Sequence, residues 1–183
     1  MTPLENAHHI PTHMAMSEKD VLFNLACSLP SKAVAVEIGS YLGASSYFLA
    51  TGLATHLYEG VLYCVDTWNN DAMSHTHIKT NIFDEFLKNT KDVSENIIPI
   101  RSTSVDAAAA FTKPVDLIFF DGDHSYEGIH EDWNVWKRHL NQNAIVVFHD
   151  WGWADGVKQV ILQEVKPLVR KFDCLPNLWW GYL

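Results

Sequence analysis

Short apolar runs alternate along this chain with longer segments in which apolar residues recur at helical spacing. The runs Leu117–Phe120 and Ile145–Phe148 are each bounded by polar residues. Runs of this length are typical of strands that are buried on both faces of a parallel sheet. The pattern predicts strands at Ala33–Ile38, Val61–Val65, Ile97–Ile100, Asp116–Phe120 and Ala144–Phe148.

Helices are predicted between these strands. Ser17 is a candidate N-cap for the first helix, and Pro167 predicts that the last helix ends early or kinks. The predicted helices are Glu18–Leu29, Ala44–Leu53, Ile78–Leu87, Asp106–Phe111, Tyr126–Leu140 and Val157–Val169. Two short strands around the turn at Pro176 complete the chain. Strands that alternate with helices indicate βαβ units, so we expect an α/β fold with a mostly parallel sheet.

Composition limits the classes of protein to which the chain can belong. Its 183 residues are 48% hydrophobic, which fits one folded domain over residues 17–183. The preceding residues 1–16 are polar, carry His8, His9 and His13, and are expected to be mobile or on the surface. A formal charge of −9 without a basic cluster argues against a nucleic-acid partner. No secretory signal or membrane span is evident, and the three cysteines are far apart, so we expect a cytoplasmic protein.

Acidic and imidazole side chains follow two of the predicted strands directly. Asp121-Gly122-Asp123-His124 closes one strand, and His149-Asp150-Trp151 closes the next. In open α/β sheets, ligands bind outside the carboxyl ends of the strands. These residues are therefore candidate site residues, and their chemistry suits a hard divalent cation or a proton in transit.

A glycine turn and an aspartate suggest a cofactor at the same edge. Gly39-Ser40-Tyr41-Leu42-Gly43 follows the first strand, and Asp66 ends the second. Glycine lets the backbone approach a ligand closely, and a carboxylate at this position can accept both ribose hydroxyls of a nucleoside. The spacing departs from the dinucleotide pattern G-x-G-x-x-G, which favours a nucleoside cofactor without a pyrophosphate.

These motifs together resemble a small class I S-adenosylmethionine-dependent methyltransferase. The segments that carry the resemblance are Glu37–Gly43, Asp66-Thr67-Trp68, Asp121–Gly128 and His149-Asp150. The bacterial branch that includes macrolide-sugar O-methyltransferases and the cephalosporin methoxylation protein is the most similar. The resemblance covers the chain from about Val34 onward. It implies a Rossmann-like, doubly wound sheet of seven strands, the last one antiparallel, with helices on both faces.

The resemblance also implies a cofactor site. Glu37, Gly39 and Ser40 would border the methionine end of S-adenosyl-L-methionine, Asp66 would hold the ribose, and Trp68 would shelter the ribose or adenine. The full set of cofactor-binding residues that we expect is Glu37, Gly39, Ser40, Gly43, Asp66, Thr67, Trp68, Ser102, Ser104 and Asp121. The polar segment after the second strand, from Trp68 to Thr76, is expected to act as a lid.

At the chemical end, related metal-dependent O-methyltransferases place ligands at positions that match Asp121, His149 and Asp150. His149 stands where such enzymes carry a carboxylate or amide, and imidazole suits Mn²⁺, Fe²⁺ or Zn²⁺ better than Mg²⁺. The alternative is that Asp121 bonds to loop amides while His149 is packed beneath a lid. Asp123 or His124 would take the proton from the substrate.

The resulting expectation is O-methylation of a small hydroxylated molecule, with a divalent metal such as Mg²⁺ or Mn²⁺ as an optional aid. Two alternatives stay open, namely a metal-dependent hydrolase and a catalytically silent nucleoside-binding domain. Trp151 and Trp153 are expected either to wall an acceptor pocket or to pack against a helix, whereas Trp133 and Trp136 are expected in the core. Glu131 and Asp132 are expected on a solvated helix face. The apolar run Leu178–Leu183 suggests a surface for a second copy of the chain.

Overall fold

The computed structural model describes residues 7–55, 59–69 and 81–183, and one seven-stranded sheet runs through them. The strands are β1 (Val34–Ile38), β2 (Val61–Asp66), β3 (Ile97–Arg101), β4 (Val115–Phe120), β5 (Leu140–His149), β6 (Lys171–Cys174) and β7 (Leu178–Tyr182). Their order across the sheet is β3-β2-β1-β4-β5-β7-β6. Strands β1 to β5 pair in parallel, whereas β7 is antiparallel to both β5 and β6. The predicted fold class is confirmed.

Helices connect the parallel strands. They are α1 (Met16–Cys27), α2 (Ala44–Ala54), α3 (Ile82–Asn89), α4 (Ser104–Ala110), α5 (Tyr126–Trp136) and α6 (Asp155–Val160). Beyond α6 the chain continues as the π-helical turn Ile161–Val165 and the 3₁₀ turn Lys166–Leu168, which contains Pro167, so the predicted helix Val157–Val169 changes geometry along its length rather than ending at the proline. Shorter 3₁₀ helices lie at Lys91–Asn96 and Lys137–His139. Among the described residues, no helix is long and apolar enough to cross a membrane.

Two apolar layers cover the sheet, because successive strand residues point to opposite faces. On β1, Ala35 belongs to the layer formed with α1 and α2, and Val36 belongs to the layer formed with α5 and α6. In the second layer, Trp133 and Trp136 are 1% and 0% exposed, so their predicted place in the core is confirmed. Burial of large apolar side chains such as these contributes about 1.5–3 kcal/mol each.

The beginning of α1 differs from the prediction. The helix starts at Met16 after Ala15, so Ser17 is not its N-cap. The Glu18 carboxylate accepts a hydrogen bond from the Ala15 amide at 2.7 Å, which is the bond that the third helical residue of a capping box makes to the N-cap amide. Before the helix, Ala7, Ile10 and Met14 are buried in the same layer as α1, whereas the sequence predicted a mobile or surface segment.

The structure differs from the prediction at Asp132 and at the C-terminal run, and two other predictions involve residues outside the described ranges. Asp132 is 8% exposed rather than solvated, and this burial, partly offset by hydrogen bonding to Ser104, raises its pKa to about 6. The C-terminal run packs inside the sheet, because β7 lies between β5 and β6 with Leu178–Gly181 buried. Because Leu178–Gly181 are buried within the chain, they do not supply a surface for a second copy. A homodimer stays a prediction. The expected lid, and the start of the helix predicted from Ile78, involve residues 70–80, outside the described ranges.

Candidate active site

The glycine turn after β1 touches the acidic segment after β4. The strand register places Ile38 opposite Phe120, and the Asp121 amide donates to the Ile38 carbonyl at 2.8 Å. Gly39 has a φ of 87°, and a Cβ there would lie 2.2 Å from the Asp121 carbonyl oxygen. Only glycine allows this approach. The backbone thus holds the predicted cofactor turn directly against the predicted acid and base residues.

Asp66 fixes the shape of the glycine turn. One oxygen of its carboxylate accepts hydrogen bonds from the Ser40 and Tyr41 amides at 3.0 and 2.8 Å. The other oxygen accepts from the Trp68 amide at 2.7 Å. At the far end of the turn, Gly43 has a φ of 88° and opens α2. Asp66 therefore organises the backbone of the turn at the carboxyl end of β2, and its role toward a ribose stays a prediction.

Trp68 is less available than predicted. Its side chain is 4% exposed, its indole N–H donates to the Tyr41 carbonyl at 2.9 Å, and its ring packs on Phe83 and Phe86. These contacts join the start of the predicted lid segment to α3 and to the turn. In this position the ring contributes to the wall behind the turn.

Glu37 lies fully buried beneath the same turn. Its carboxylate accepts a hydrogen bond from the Ser46 hydroxyl at the start of α2. Burial raises the pKa of Glu37 to about 6, although hydrogen bonds from Ser45 and Ser46 lower it. Among the described residues, Glu37 Oε1 and Ser40 Oγ have no partner at hydrogen-bonding geometry. Buried polar atoms of this kind favour a ligand that supplies donors.

A cleft of about 410 Å³ opens at the carboxyl ends of β2 and β3. Its walls are formed by Thr67, Asn69, Arg101, Ser102, Thr103 and Asp106. Thr67 and Ser102 were predicted to bind the cofactor, and Thr103 lies in the predicted segment from Ser102 to Ser104; Asn69, Arg101 and Asp106 were not predicted. Ser104 was predicted as well, but its hydroxyl accepts a hydrogen bond from the Trp136 indole at 2.9 Å and does not line the cleft.

The exposed imidazole of His124 pairs with Asp150. His124 Nε2 lies 2.6 Å from Asp150 Oδ2, and 42% of the His124 side chain is exposed. The hydrogen bond to Asp150 raises the pKa of His124. Asp123, the other candidate proton acceptor, instead accepts a hydrogen bond from the Ser125 amide at the start of α5. His124 is thus the residue of the two that the structure pairs with a buried carboxylate.

Asp150 is held from several sides. The Trp153 indole N–H and the Asn177 amide donate to its Oδ1 at 2.7 and 3.0 Å, in addition to the contact with His124. Burial alone would raise the pKa of Asp150, but hydrogen bonds from His124 and His149 lower it well below its usual range. The residue also has a φ of 60°, a strained conformation that persists only where its surroundings fix it. Asp150 is therefore an ionised, immobilised acceptor.

His149 lies beneath this pair, at 4% exposure. Because Phe120 pairs with Phe148 in the sheet register, the next residues, Asp121 and His149, meet at the strand ends. His149 Nδ1 is 3.0 Å from Asp121 Oδ1 and 3.2 Å from Asp150 Oδ1. Burial would lower the pKa of His149, but the hydrogen bonds and charges of those two carboxylates raise it to about 11.

The second nitrogen of His149 faces α1. Its Nε2 lies 3.4 Å from Glu18 Oε2, and Glu18 is itself buried. The sequence analysis did not identify Glu18. The two residues are 131 positions apart, and no local pattern in the sequence signals their contact.

The predicted metal ligands can be compared with this geometry. In the described part of the chain, Asp121, His124 and Asp150 have potential ligand atoms within 4.8 Å of one another, with His124 in place of the predicted His149. Carboxylate and imidazole are suitable donors for Mn²⁺ or Zn²⁺. However, both nitrogens of His149 are directed at carboxylates, as a protonated imidazole requires. A divalent cation would compete with this positively charged ring for Asp121 and Asp150. As they stand, the contacts fit a protonated imidazole better than a divalent ion.

A family model described as a methyltransferase domain matches residues 36–151. The chain belongs to this family of methyltransferases, which confirms the class predicted from the sequence. The matched residues include the glycine turn, Asp66, the acidic segment after β4 and the His149-Asp150 pair.

The chain is also similar to individual proteins. Protein R132 of Acanthamoeba polyphaga mimivirus, which is uncharacterised, is 25% identical over 156 residues, or 78% of this chain and 67% of that protein. TomG, the O-methyltransferase of tomaymycin synthesis in Streptomyces achromogenes, was solved with S-adenosylmethionine and matches with a TM-score of 0.71. It is 15% identical, and the match covers 100% of this chain and 89% of TomG.

A Bacillus cereus O-methyltransferase, solved with S-adenosylhomocysteine, also matches with a TM-score of 0.71. It is 13% identical, over 100% of this chain and 91% of that one. At this identity the structural matches establish the fold alone, which the chain shares with both of these enzymes.

Proposed function

We propose that this protein is an S-adenosylmethionine-dependent O-methyltransferase that acts on a small hydroxylated molecule. The observation that carries the proposal is the contact between Gly39 and Asp121, because it places a cofactor-type turn beside the His124–Asp150 pair. The family match and the cofactors bound to TomG and to the Bacillus cereus enzyme support the same reaction. Nothing in these matches favours a metal-dependent hydrolase.

In the proposed site, Glu37, Gly39 and Ser40 border the methionine end of the cofactor. The partnerless oxygen of Glu37 is suited to accept a hydrogen bond from the cofactor ammonium group. Asp66 borders the ribose, and the cleft with Thr67 and Ser102 suits the adenine. Gly43 and Trp68 support the turn from behind. Bound in this way, S-adenosylmethionine supplies an electrophilic methyl group.

The chain itself supplies alignment and a proton acceptor. With Nε2 of His124 directed at Asp150, Nδ1 carries the lone pair of the neutral ring and is the atom that takes the hydroxyl proton of the acceptor. Asp150 holds the ring in this orientation and stabilises the imidazolium that forms, as a buried carboxylate does in other acid–base pairs. Methyl transfer needs little more than alignment and the exclusion of water.

Trp153 indicates where the acceptor lies. Its side chain is 62% exposed, and its ring centroid is 5.2 Å from that of His124. An exposed indole beside a proton acceptor provides a flat apolar face, which suits the ring of a phenolic or sugar acceptor. A second cleft of about 460 Å³, lined in part by Trp151 and Leu175, lies beyond Gly152 and offers room for further substituents.

Calorimetry with S-adenosylmethionine tests the proposal directly. We expect binding to the purified protein and a loss of at least tenfold in affinity for Asp66→Ala, because the variant loses both the ribose acceptor and the hydrogen bonds of the turn. Asp92→Ala, which removes an exposed carboxylate on the 3₁₀ helix before β3, is the matched control. An absence of binding heat at millimolar cofactor would refute the function.

A further inference from the structure

His149 is placed where two carboxylates need a positive charge. Asp121 comes from the end of β4 and Asp150 from the end of β5, and Nδ1 of His149 lies within 3.2 Å of both. Carboxylates that converge in this way repel each other unless a cation or a proton lies between them. The imidazole N–H occupies the position between the two oxygens. The position between Asp121 Oδ1 and Asp150 Oδ1, which a bridging cation could take, is therefore filled by a side chain of the protein.

The surroundings of His149 match a positive ring rather than a neutral one. Glu18 faces its other nitrogen from α1 at 3.4 Å, so carboxylates approach both sides of the ring. A neutral imidazole has one donor and one acceptor nitrogen, whereas the protonated ring has two donors. Only the protonated form can donate to Asp121 or Asp150 through one nitrogen and to Glu18 through the other. The Asn177 amide nitrogen, which is a donor, lies 3.4 Å from Nε2 and makes its shorter hydrogen bond, at 3.0 Å, to Asp150 Oδ1.

We propose that His149 acts as a built-in cation that replaces a divalent metal at this site and positions the His124–Asp150 pair. Through Asp121 and Asp150 the ring ties the ends of β4 and β5 together, and Glu18 anchors it from α1. The sequence predicted that His149 binds a metal, whereas its contacts place the positively charged ring between the two carboxylates that a metal would bridge. The inference rests on the proposed function only for the role of His124.

This arrangement makes His149 and Glu18 positioning residues. Neither one faces the open side of the site, since their side chains are 3% and 6% exposed. Their effect on the reaction passes through Asp150, whose other oxygen holds His124 at 2.6 Å. The Glu18 carboxylate is fixed in turn by the Ala15 amide at the start of α1.

Manganese binding tests the proposal independently of the reaction. Chelator-treated protein is titrated with Mn²⁺ and the free ion is followed by electron paramagnetic resonance, for the wild type and for His149→Glu. The variant replaces the imidazole by a third carboxylate beside Asp121 and Asp150, so it gains a site with at least tenfold tighter binding than any seen in the wild type. His9→Glu adds the same carboxylate at an exposed position and leaves manganese binding unchanged.

The wild-type titration decides the matter even if His149→Glu fails to fold. We expect no stoichiometric Mn²⁺ site in the wild type and no loss of methyl transfer after chelation. A single tight site that Asp121→Asn abolishes would overturn the proposal, as would a folded His149→Glu protein without any gain in Mn²⁺ affinity. Calorimetry with S-adenosylmethionine reads the proposed function separately, so the two failures are distinguishable.

Discussion

His124 Nε2 and Asp150 Oδ2 lie 2.6 Å apart, and this hydrogen bond joins an exposed imidazole to a buried carboxylate. The pair connects the segments that follow two neighbouring strands of the sheet, β4 and β5. Because Asp150 is held by Trp153 and Asn177 as well, the imidazole is oriented before any substrate arrives.

Replacement of His124 tests its role as the proton acceptor. We expect His124→Ala to lower kcat by about 10²–10⁴-fold, the usual contribution of a general base, while the affinity for S-adenosylmethionine stays within twofold. Steady-state kinetics and calorimetry on the same preparations measure both quantities. His9→Ala, at an exposed position, serves as the control. An unchanged kcat would remove His124 from the mechanism.

The pH profile follows from the raised pKa of His124. The neutral ring is the active form, and the hydrogen bond to Asp150 stabilises the charged form. Activity therefore rises with pH through a midpoint above 6.5, the ordinary pKa of histidine. Asp150→Asn moves the midpoint downward, because that bond and charge are lost. Asp123→Asn, which removes a weaker influence on the same ring, moves it less; an equal shift in both variants would contradict this assignment.

Glu37 makes the free protein less stable as the pH rises. Its pKa is raised from 4.5 to about 6, so the folded state binds more protons than the unfolded state between these values, and stability falls across that interval. The ionised group costs about 2 kcal/mol of unfolding free energy above pH 7. We expect Glu37→Gln to recover most of this amount at pH 8 and to have little effect at pH 4, as measured by urea unfolding.

The same Glu37 variant weakens cofactor binding, because the glutamine lacks the charge proposed to face the ammonium group. A stability gain at pH 8 together with a loss of affinity would separate the two roles of this residue. If Glu37→Gln destabilised the protein equally at both pH values, the interpretation from burial would be wrong.

Gly39→Ala tests the contact between the glycine turn after β1 and the acidic segment after β4. The added Cβ would lie 2.2 Å from the Asp121 carbonyl oxygen, and the φ of 87° disfavours alanine independently. We expect a loss of about 3 kcal/mol or more in unfolding free energy, together with a loss of cofactor binding. Gly122→Ala is the control for stability, since its Cβ would meet Ile38 at an ordinary 3.5 Å. Equal stabilities of the two variants would argue against a close approach at Gly39.

Much of the fold follows from local patterns. The five parallel strands, the C-terminal pair and the tryptophans of α5 were predicted because apolar periodicity reflects burial directly. The convergence of Asp121, His149 and Asp150 was also predictable, since the ends of adjacent parallel strands share one edge. These features depend on the order of elements rather than on the details of packing.

The remaining features depend on contacts between distant segments. Glu18 meets His149 across 131 positions, and Asp132 is buried beside the half-buried Ser104 through the packing of α4 against α5. A polar residue on a helix gives no local sign that tertiary structure will enclose it. For the same reason, His149 was predicted as a ligand from its neighbours in sequence, whereas its role depends on which charges surround it in space.

Trp153 has two contacts that belong to different tasks. Its ring lies beside His124 on the open side, and its N–H donates to the carboxylate that governs the basicity of that histidine. Selectivity for the acceptor and proton affinity of the base are thus coupled through one side chain. A substitution of Trp153 that admits a larger substrate will therefore also change the pH range in which the enzyme is active.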